Sequence, residues 1–203
     1  MVEGGAGGAR VKSDTMSDLL IVAAMKEEAA DIMSGGDHEV LVTGIGTLPA
    51  AIALTRRLSA GPLPSRVINV GTAGALVDLA PGVYEVSDAV KHDFKVGGTS
   101  DLTDFVYPRW FTFEPLTDLP KAKLATGDAF VNRSDLRDEL ARECQLVDME
   151  GYALAAVCST FAVPLTLLKQ VSDAADESAS AVWEAALERA RVELEQALRE
   201  HLR

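Results

Sequence analysis

The sequence predicts an α/β fold, a three-layer α/β/α domain on a mixed, mostly parallel central sheet, and three observations lead there. Short apolar runs of strand length alternate with helical periods along the chain, the pattern of strands joined through crossover helices. Leu19 to Ala24 is an unbroken apolar run, as a strand buried on both faces must be. Acidic or glycine-rich segments recur just after predicted strands, at Met25 to Glu28, Gly71 to Gly74, Met149-Glu150 and Ser172-Asp173. That is the rim where α/β sheets hold ligands.

Each element follows from local chemistry. The first strand gives way to Met25-Lys26-Glu27-Glu28 and a short helix to about Met33, and Ser34-Gly35-Gly36-Asp37 turns the chain into a strand over Glu39 to Val42. Thr43-Gly44-Ile45-Gly46-Thr47 then leads into a helix from about Pro49 to Leu58, with proline near its start and Arg56 and Arg57 near its negative end. Val67 to Val70 begins a strand that runs into a predicted glycine turn, Gly71-Thr72-Ala73-Gly74, and Pro81-Gly82 turns into a strand over Val83 to Val90. From Lys91 to Lys121 no period persists. Connectors above about 12–15 structureless residues are uncommon, so this stretch is expected to be a lid, a binding loop or an interface segment anchored by Tyr107, Trp110, Phe111 and Phe113.

A short strand over Lys123 to Ala125 leads to Thr126-Gly127-Asp128-Ala129-Phe130-Val131-Asn132, and Ser134 suits the N-cap of the next helix. A strand over Gln145 to Met149, a small-residue helix over Glu150 to Phe161 and an apolar strand over Pro164 to Val171 follow. The last element is a long helix from Ser178 to about Leu202, whose apolar stripe includes Ala186, Ala190, Leu194 and Leu198. Residues 1–15 hold four glycines and read as a flexible extension, leaving 16–203 as one domain.

Composition narrows the function classes. The chain has 203 residues, 48% of them hydrophobic and 25% charged, and no apolar run approaches the roughly 18 residues of a membrane span. A net charge of −12 with no basic cluster argues against nucleic-acid binding and for a small polar ligand. Cys144 and Cys158 show neither zinc spacing nor a disulfide framework, which fits a reducing cytoplasm. No cofactor is expected: Gly44-Ile45-Gly46 lacks the third glycine of a dinucleotide fingerprint, and no phosphate-loop Gly-Lys-Ser/Thr occurs. His38, His92 and His201 are scattered and motivate no triad.

The acidic pair Asp148 and Glu150 has two readings. Carboxylates at a helix start complement its dipole, worth about 0.3–1 kcal/mol, while a glutamate at a strand-to-helix turn is also placed to accept hydrogen bonds from the two hydroxyls of a ribose. The order of motifs adds to the second reading. Ala24-Met25-Lys26-Glu27-Glu28, Gly44-Ile45-Gly46, Asn69-Val70-Gly71-Thr72-Ala73-Gly74, Thr126-Gly127-Asp128-Ala129-Phe130, Val147-Asp148-Met149-Glu150 and Val171-Ser172-Asp173 resemble, in sequence order, the nucleoside phosphorylase/nucleosidase superfamily. The resemblance is strongest to its methylthioadenosine/S-adenosylhomocysteine nucleosidase-like branch.

That resemblance implies roles. Glu28 matches the residue that deprotonates the water attacking the anomeric carbon, and Asp173, with Ser172 beside it, matches the acid that protonates the purine N7. Glu150 matches the residue holding the ribose hydroxyls, Met149 lines the sugar, Phe130 stacks on the base and the backbone at Val131 reads its edge. Thr72 falls near the attacking water, Ile45 on the apolar wall toward the sugar and its 5′ substituent, Met25 among the further substrate-binding residues, and Lys169 where the family carries an arginine near that water. The point charge of Lys169 replaces a planar fork, which leaves the exact substrate open. His92-Asp93 is expected to be structural.

Three functions compete at this level: a purine nucleosidase, a phosphate-dependent phosphorylase, and an inactive nucleoside-binding protein. No arginine occurs from Met16 through Thr55 to cradle phosphate, and Asn69 stands where related phosphorylases tend to place one, which favours hydrolysis. The implied partners are a small purine nucleoside and a second copy in a homodimer.

Overall fold

The computed structural model describes residues 19–36, 38–94 and 108–201. The expected extension over 1–15 and the expected anchor Tyr107 lie outside the described residues. Among those residues the strands are β1 (Leu19–Ala23), β2 (Glu39–Val42), β3 (Arg66–Ala75), β4 (Val83–Lys91), β5 (Trp110–Thr112), β6 (Lys121–Thr126), β7 (Leu146–Asp148) and β8 (Leu165–Asp173). A 3-10 turn (Glu27–Ala29) runs into α1 (Ala30–Gly35), followed along the chain by α2 (Thr47–Ala60), α3 (Ser134–Leu140), α4 (Gly151–Phe161) and α5 (Ala179–His201).

The strands form one mixed sheet, ordered β2-β1-β3-β7-β6-β4-β5, with β8 pairing both β3 and β4. Pairing is parallel for β1 with β2 and β3, β3 with β8, and β6 with β4 and β7. It is antiparallel for β3 with β7 and for β4 with β5 and β8, so the pairings close a ring through β3, β8, β4, β6 and β7. The three layers follow from the period-2 alternation of strands that are apolar on both sides. On β1, Leu20 and Val22 join Leu54, Leu154 and Leu167 in a core shared with α2 and α4, while Ile21 packs with Ile68, Leu168 and Leu194 in a core shared with α5. Each fully buried leucine contributes about 1.5–3 kcal/mol.

Three local expectations change. Gly71 to Gly74 is not a turn: β3 continues through it and pairs with β8 as far as Gly74 opposite Asp173. The glycines serve close approach, since a Cβ at Gly71 would meet Glu28 Oε1 and Lys169 Nζ at 3.3 Å, and one at Gly74 would meet Asp173 Oδ1 at 3.1 Å. Ser134 is the first residue of α3 rather than its side-chain cap, because its N–H and hydroxyl both donate to Glu177. The described part of 91–121 is also more ordered than an aperiodic sequence implies. Trp110–Thr112 adds β5 to β4, Phe111 lies edge-on to Tyr152 with ring centroids 5.1 Å apart, and buried Glu85 accepts from the Leu116 and Thr117 N–H groups and from Lys121.

Candidate active site

Strand ends and the segments after them converge on a cavity of about 390 Å³, within the range of small-molecule sites. Ala24, Met25 and Glu28 arrive from the end of β1, Thr72 to Gly74 from β3, Val147 to Glu150 from β7, and Ser172 and Asp173 from β8. Ile45, Ala129, Phe130 and Val131 also line it, as do Ser180 and Trp183 of α5. Every predicted site residue but Lys169 therefore lines a single space.

Glu28 is buried at 4% exposure and held by backbone. Its Oε1 accepts from the Thr72 N–H at 2.9 Å and the Thr72 hydroxyl at 3.1 Å, and its Oε2 accepts from the Met25 N–H at 3.2 Å. The 3-10 turn just after β1 provides the curvature that brings this side chain back over the strand end.

Glu150 occupies the N-cap position of α4 but makes no side-chain cap. Its Oε1 instead accepts from the Gly46 N–H at 2.8 Å, across 104 residues of chain. Gly44 and Gly46 have φ of 87° and 105°, a left-handed path that glycine takes without strain, and this path aims the Gly46 N–H at the cavity floor. Asp148 performs the helix-start role: its Oδ2 accepts from the Gly151 N–H at 2.8 Å and its Oδ1 from the Thr126 hydroxyl at 2.6 Å. The sequence left both readings open for the pair; the helix-start contact belongs to Asp148, and Glu150 lines the cavity without capping the helix.

Lys169 lies behind the cavity rather than on its wall. It is 1% exposed, and its Nζ sits 2.9 Å from Asp148 Oδ2. Burial alone would push its pKa down, but Asp148, Glu150 and Glu28 outweigh that and keep the ammonium charged. Glu150 is pushed up to about 7, first by burial and next by the Asp148 charge, against Lys169 and the Gly46 N–H. One buried ammonium thus faces three carboxylates.

Asp173 Oδ2 accepts from the Ser172 hydroxyl at 2.7 Å and Oδ1 from the Ala175 N–H at 2.8 Å. Ala175 is buried with φ 49°, a left-handed conformation rare for a residue with a side chain, which brings its N–H onto this carboxylate. Phe130 is 42% exposed at the cavity mouth, while Val131 is buried. The loop carrying them is tied down by Asp128, whose carboxylate accepts from the Thr47 N–H and hydroxyl at the start of α2 and whose N–H donates to Asp93. His92 fills the space over Gly127, where a Cβ would collide with its ring, so His92 and Asp93 serve the loop's shape.

Sequence reasoning missed Ser180 and Trp183. Their spacing of three on one helix puts them on one face, ten or fewer residues after Ser172-Asp173, which is the signal that could have found them. Cys144 and Cys158 are free and buried, and burial pushes each thiol up to about 12, far from a reactive thiolate. Among the described residues no three His, Cys, Asp or Glu side chains are grouped to hold a metal ion.

A mixed sheet with buried carboxylates and an exposed aromatic side chain around one cavity of about 390 Å³ is the layout of an α/β enzyme. Comparison narrows the class: a model of the phosphorylase superfamily matches residues 31–203, and the chain belongs to that superfamily, on its nucleosidase side. The 5′-methylthioadenosine/S-adenosylhomocysteine nucleosidase of Staphylococcus aureus (strain JH9) is 33% identical over 184 residues, 77% of this chain and 78% of its own. Two solved structures from Helicobacter pylori share the fold. A 5′-methylthioadenosine/S-adenosyl homocysteine nucleosidase superposes with a TM-score of 0.79 at 24% identity, over 92% of this chain and 98% of its own. A futalosine hydrolase superposes with a TM-score of 0.78 at 24% identity, over 94% and 99%.

Proposed function

We propose that the chain hydrolyses the N-glycosidic bond of an adenosine-type purine nucleoside such as 5′-methylthioadenosine or S-adenosylhomocysteine. The observation that carries this reading is the convergence of Glu28, Glu150 and Asp173 with Phe130 on one cavity of about 390 Å³. Glu28 takes a proton from water as the water oxygen bonds to the anomeric carbon, and the bond from that carbon to the purine nitrogen breaks. Asp173 protonates N7, so the base leaves neutral. Positive charge develops on the sugar meanwhile, and the carboxylate of Glu150, which accepts the ribose hydroxyls, stabilises it. Met149, Met25 and Ile45 wall the sugar side, Phe130 stacks on the base and the Val131 backbone meets its edge.

Phosphorolysis fits less well. Among the described residues no lysine or arginine lines the cavity, and Lys169, the nearby cation, is committed to Asp148 behind it. Asn69 is buried with its amide donating to the Val22 carbonyl at 3.0 Å. The test is base release from a panel of methylthioadenosine, adenosylhomocysteine, futalosine-like and unmodified purine nucleosides, with and without phosphate. The reading expects release without phosphate from at least one of them, and a strict phosphate requirement overturns it.

The same reading takes 16–203 as one working domain in a homodimer. Ile45, Leu48 and Ile52 form an exposed apolar stripe, 48%, 67% and 43% accessible, that runs from the cavity wall along α2. A second copy covering that stripe would close the mouth beside Phe130. Light scattering at assay concentration checks this, and a fully active monomer contradicts it. A reducing cytoplasm suits the two unbridged cysteines, and among the described residues no helix is long and apolar enough to cross a membrane.

A further inference from the structure

Glu28 can serve as a base only if one of its oxygens is kept for water, and the hydrogen bonds around it decide which. Thr72 gives Oε1 two donors, its N–H at 2.9 Å and its hydroxyl at 3.1 Å, while Oε2 receives only the Met25 N–H at 3.2 Å. The weak member of this set is the Thr72 hydroxyl. It carries one proton and two lone pairs, and a free rotor would spend part of its time pointing elsewhere. What removes that freedom is Trp183, whose indole Nε1 lies 3.3 Å from Thr72 Oγ1. An indole N–H donates and cannot accept, so the Thr72 oxygen must accept from it. The single hydroxyl proton is then left for Glu28 Oε1.

Placement supports the same chain. Trp183 is on α5, 111 residues from Thr72, and its side chain both lines the cavity and reaches the end of β3. The relay therefore sits where water is partly excluded and a directed donor counts for more than it does in bulk water.

We propose that Trp183 is a positioning residue for the general base: its N–H orients the Thr72 hydroxyl onto Glu28 Oε1 and leaves Oε2 as the oxygen available to the attacking water. This rests on the hydrolase reading above, in which Glu28 is the base. Trp183 touches no reacting atom in this role and acts through Thr72.

The test is a double-mutant cycle on the full chain with methylthioadenosine, measuring kcat and KM alongside the thermal unfolding midpoint of each variant. Trp183→Phe keeps a ring in the cavity wall and loses the N–H. It is expected to lower kcat about three- to tenfold with KM within about twofold, the size of one neutral hydrogen bond. In a Thr72→Val background, where the relay is already cut, Trp183→Phe should cost nothing further. In a Thr72→Ser background, which retains a hydroxyl, the sensitivity to Trp183→Phe should persist. A folded Trp183→Phe enzyme with full kcat, a loss confined to KM, or an equal loss in the Thr72→Val background overturns the inference while leaving the hydrolase reading intact. A wild-type enzyme that releases no base from methylthioadenosine or the wider panel overturns that reading and this inference with it.

Discussion

The two ends of the cavity are built in opposite ways. Beneath the proposed sugar site, Glu28 and Glu150 are 4% and 8% exposed and are fixed by N–H groups from Met25, Gly46 and Thr72, with Lys169 packed behind the wall on Asp148. At the proposed base site, Phe130 is 42% exposed on a loop, held indirectly through Asp128. Buried charge requires fixed donors, so the sugar end is organised before any ligand arrives. The base end presents a flat face that the ligand itself, or a second copy, must cover. The sugar end should therefore govern turnover and stability, and the base end should sort leaving groups.

The largest break in this contrast is expected from Glu28→Gln. The amide keeps the shape and loses the base, so kcat should fall by about 10²–10⁴ with nucleoside binding retained, as read by turnover beside equilibrium binding. Normal turnover would remove Glu28 from its role. Lys169→Met tests the packing behind the sugar end. It leaves Asp148 charged and unpaired in the interior and should lower unfolding stability by about 3–5 kcal/mol in denaturant melts. Adding Asp148→Asn should restore part of it. A change within experimental scatter for the single variant would mean that the pair is not isolated from water.

Asp173→Asn separates the two ends. With a natural purine nucleoside its loss should be about 10²-fold, because the amide delivers no labile proton. With an activated nitrophenyl riboside, if accepted, it should be much smaller. Equal losses on both in a folded variant would make Asp173 a support for the site instead of its acid.

The smallest effect is one of pH and belongs to Glu150, whose pKa burial raises from 4.5 to about 7. Between those values the folded chain binds a proton that the unfolded chain has released. This contribution to stability is complete below about pH 4.5 and is lost as pH rises through about 7. Ligand binding runs the other way, since the ionised carboxylate is the better acceptor for the ribose hydroxyls. KM should rise up to about tenfold per pH unit below 7, and Glu150→Gln should flatten that dependence. A KM flat from pH 8 to 6 in the unmodified chain would contradict it.

Much of this contrast could be read from the residues. Glu28 and Glu150 follow strands and Asp173 ends one, and acidic positions at strand ends in an α/β order point to one rim, which is where they meet. Strand identity was legible where apolar runs were short and unbroken, as in β1. The glycine run of β3 was not, because glycine marks turns and close approaches alike and only the positions of Lys169, Glu28 and Asp173 distinguish them. Lys169 matched a position near the attacking water in the sequence, yet its short reach to Asp148 holds it behind the wall. Trp183 is hidden because α5 reads as an amphipathic cap on the sheet, and only its closeness in the chain to Ser172-Asp173, together with the shared face with Ser180, points to this end of the helix overhanging the cavity.

The central claim, that water activated at the sugar end is the nucleophile, is tested most directly by single-turnover cleavage of methylthioadenosine in oxygen-18 water with inorganic phosphate present. The account predicts free adenine and a free sugar carrying the label at its anomeric hydroxyl, at a rate unchanged when phosphate is omitted. A sugar 1-phosphate product, formed only when phosphate is supplied, would contradict it.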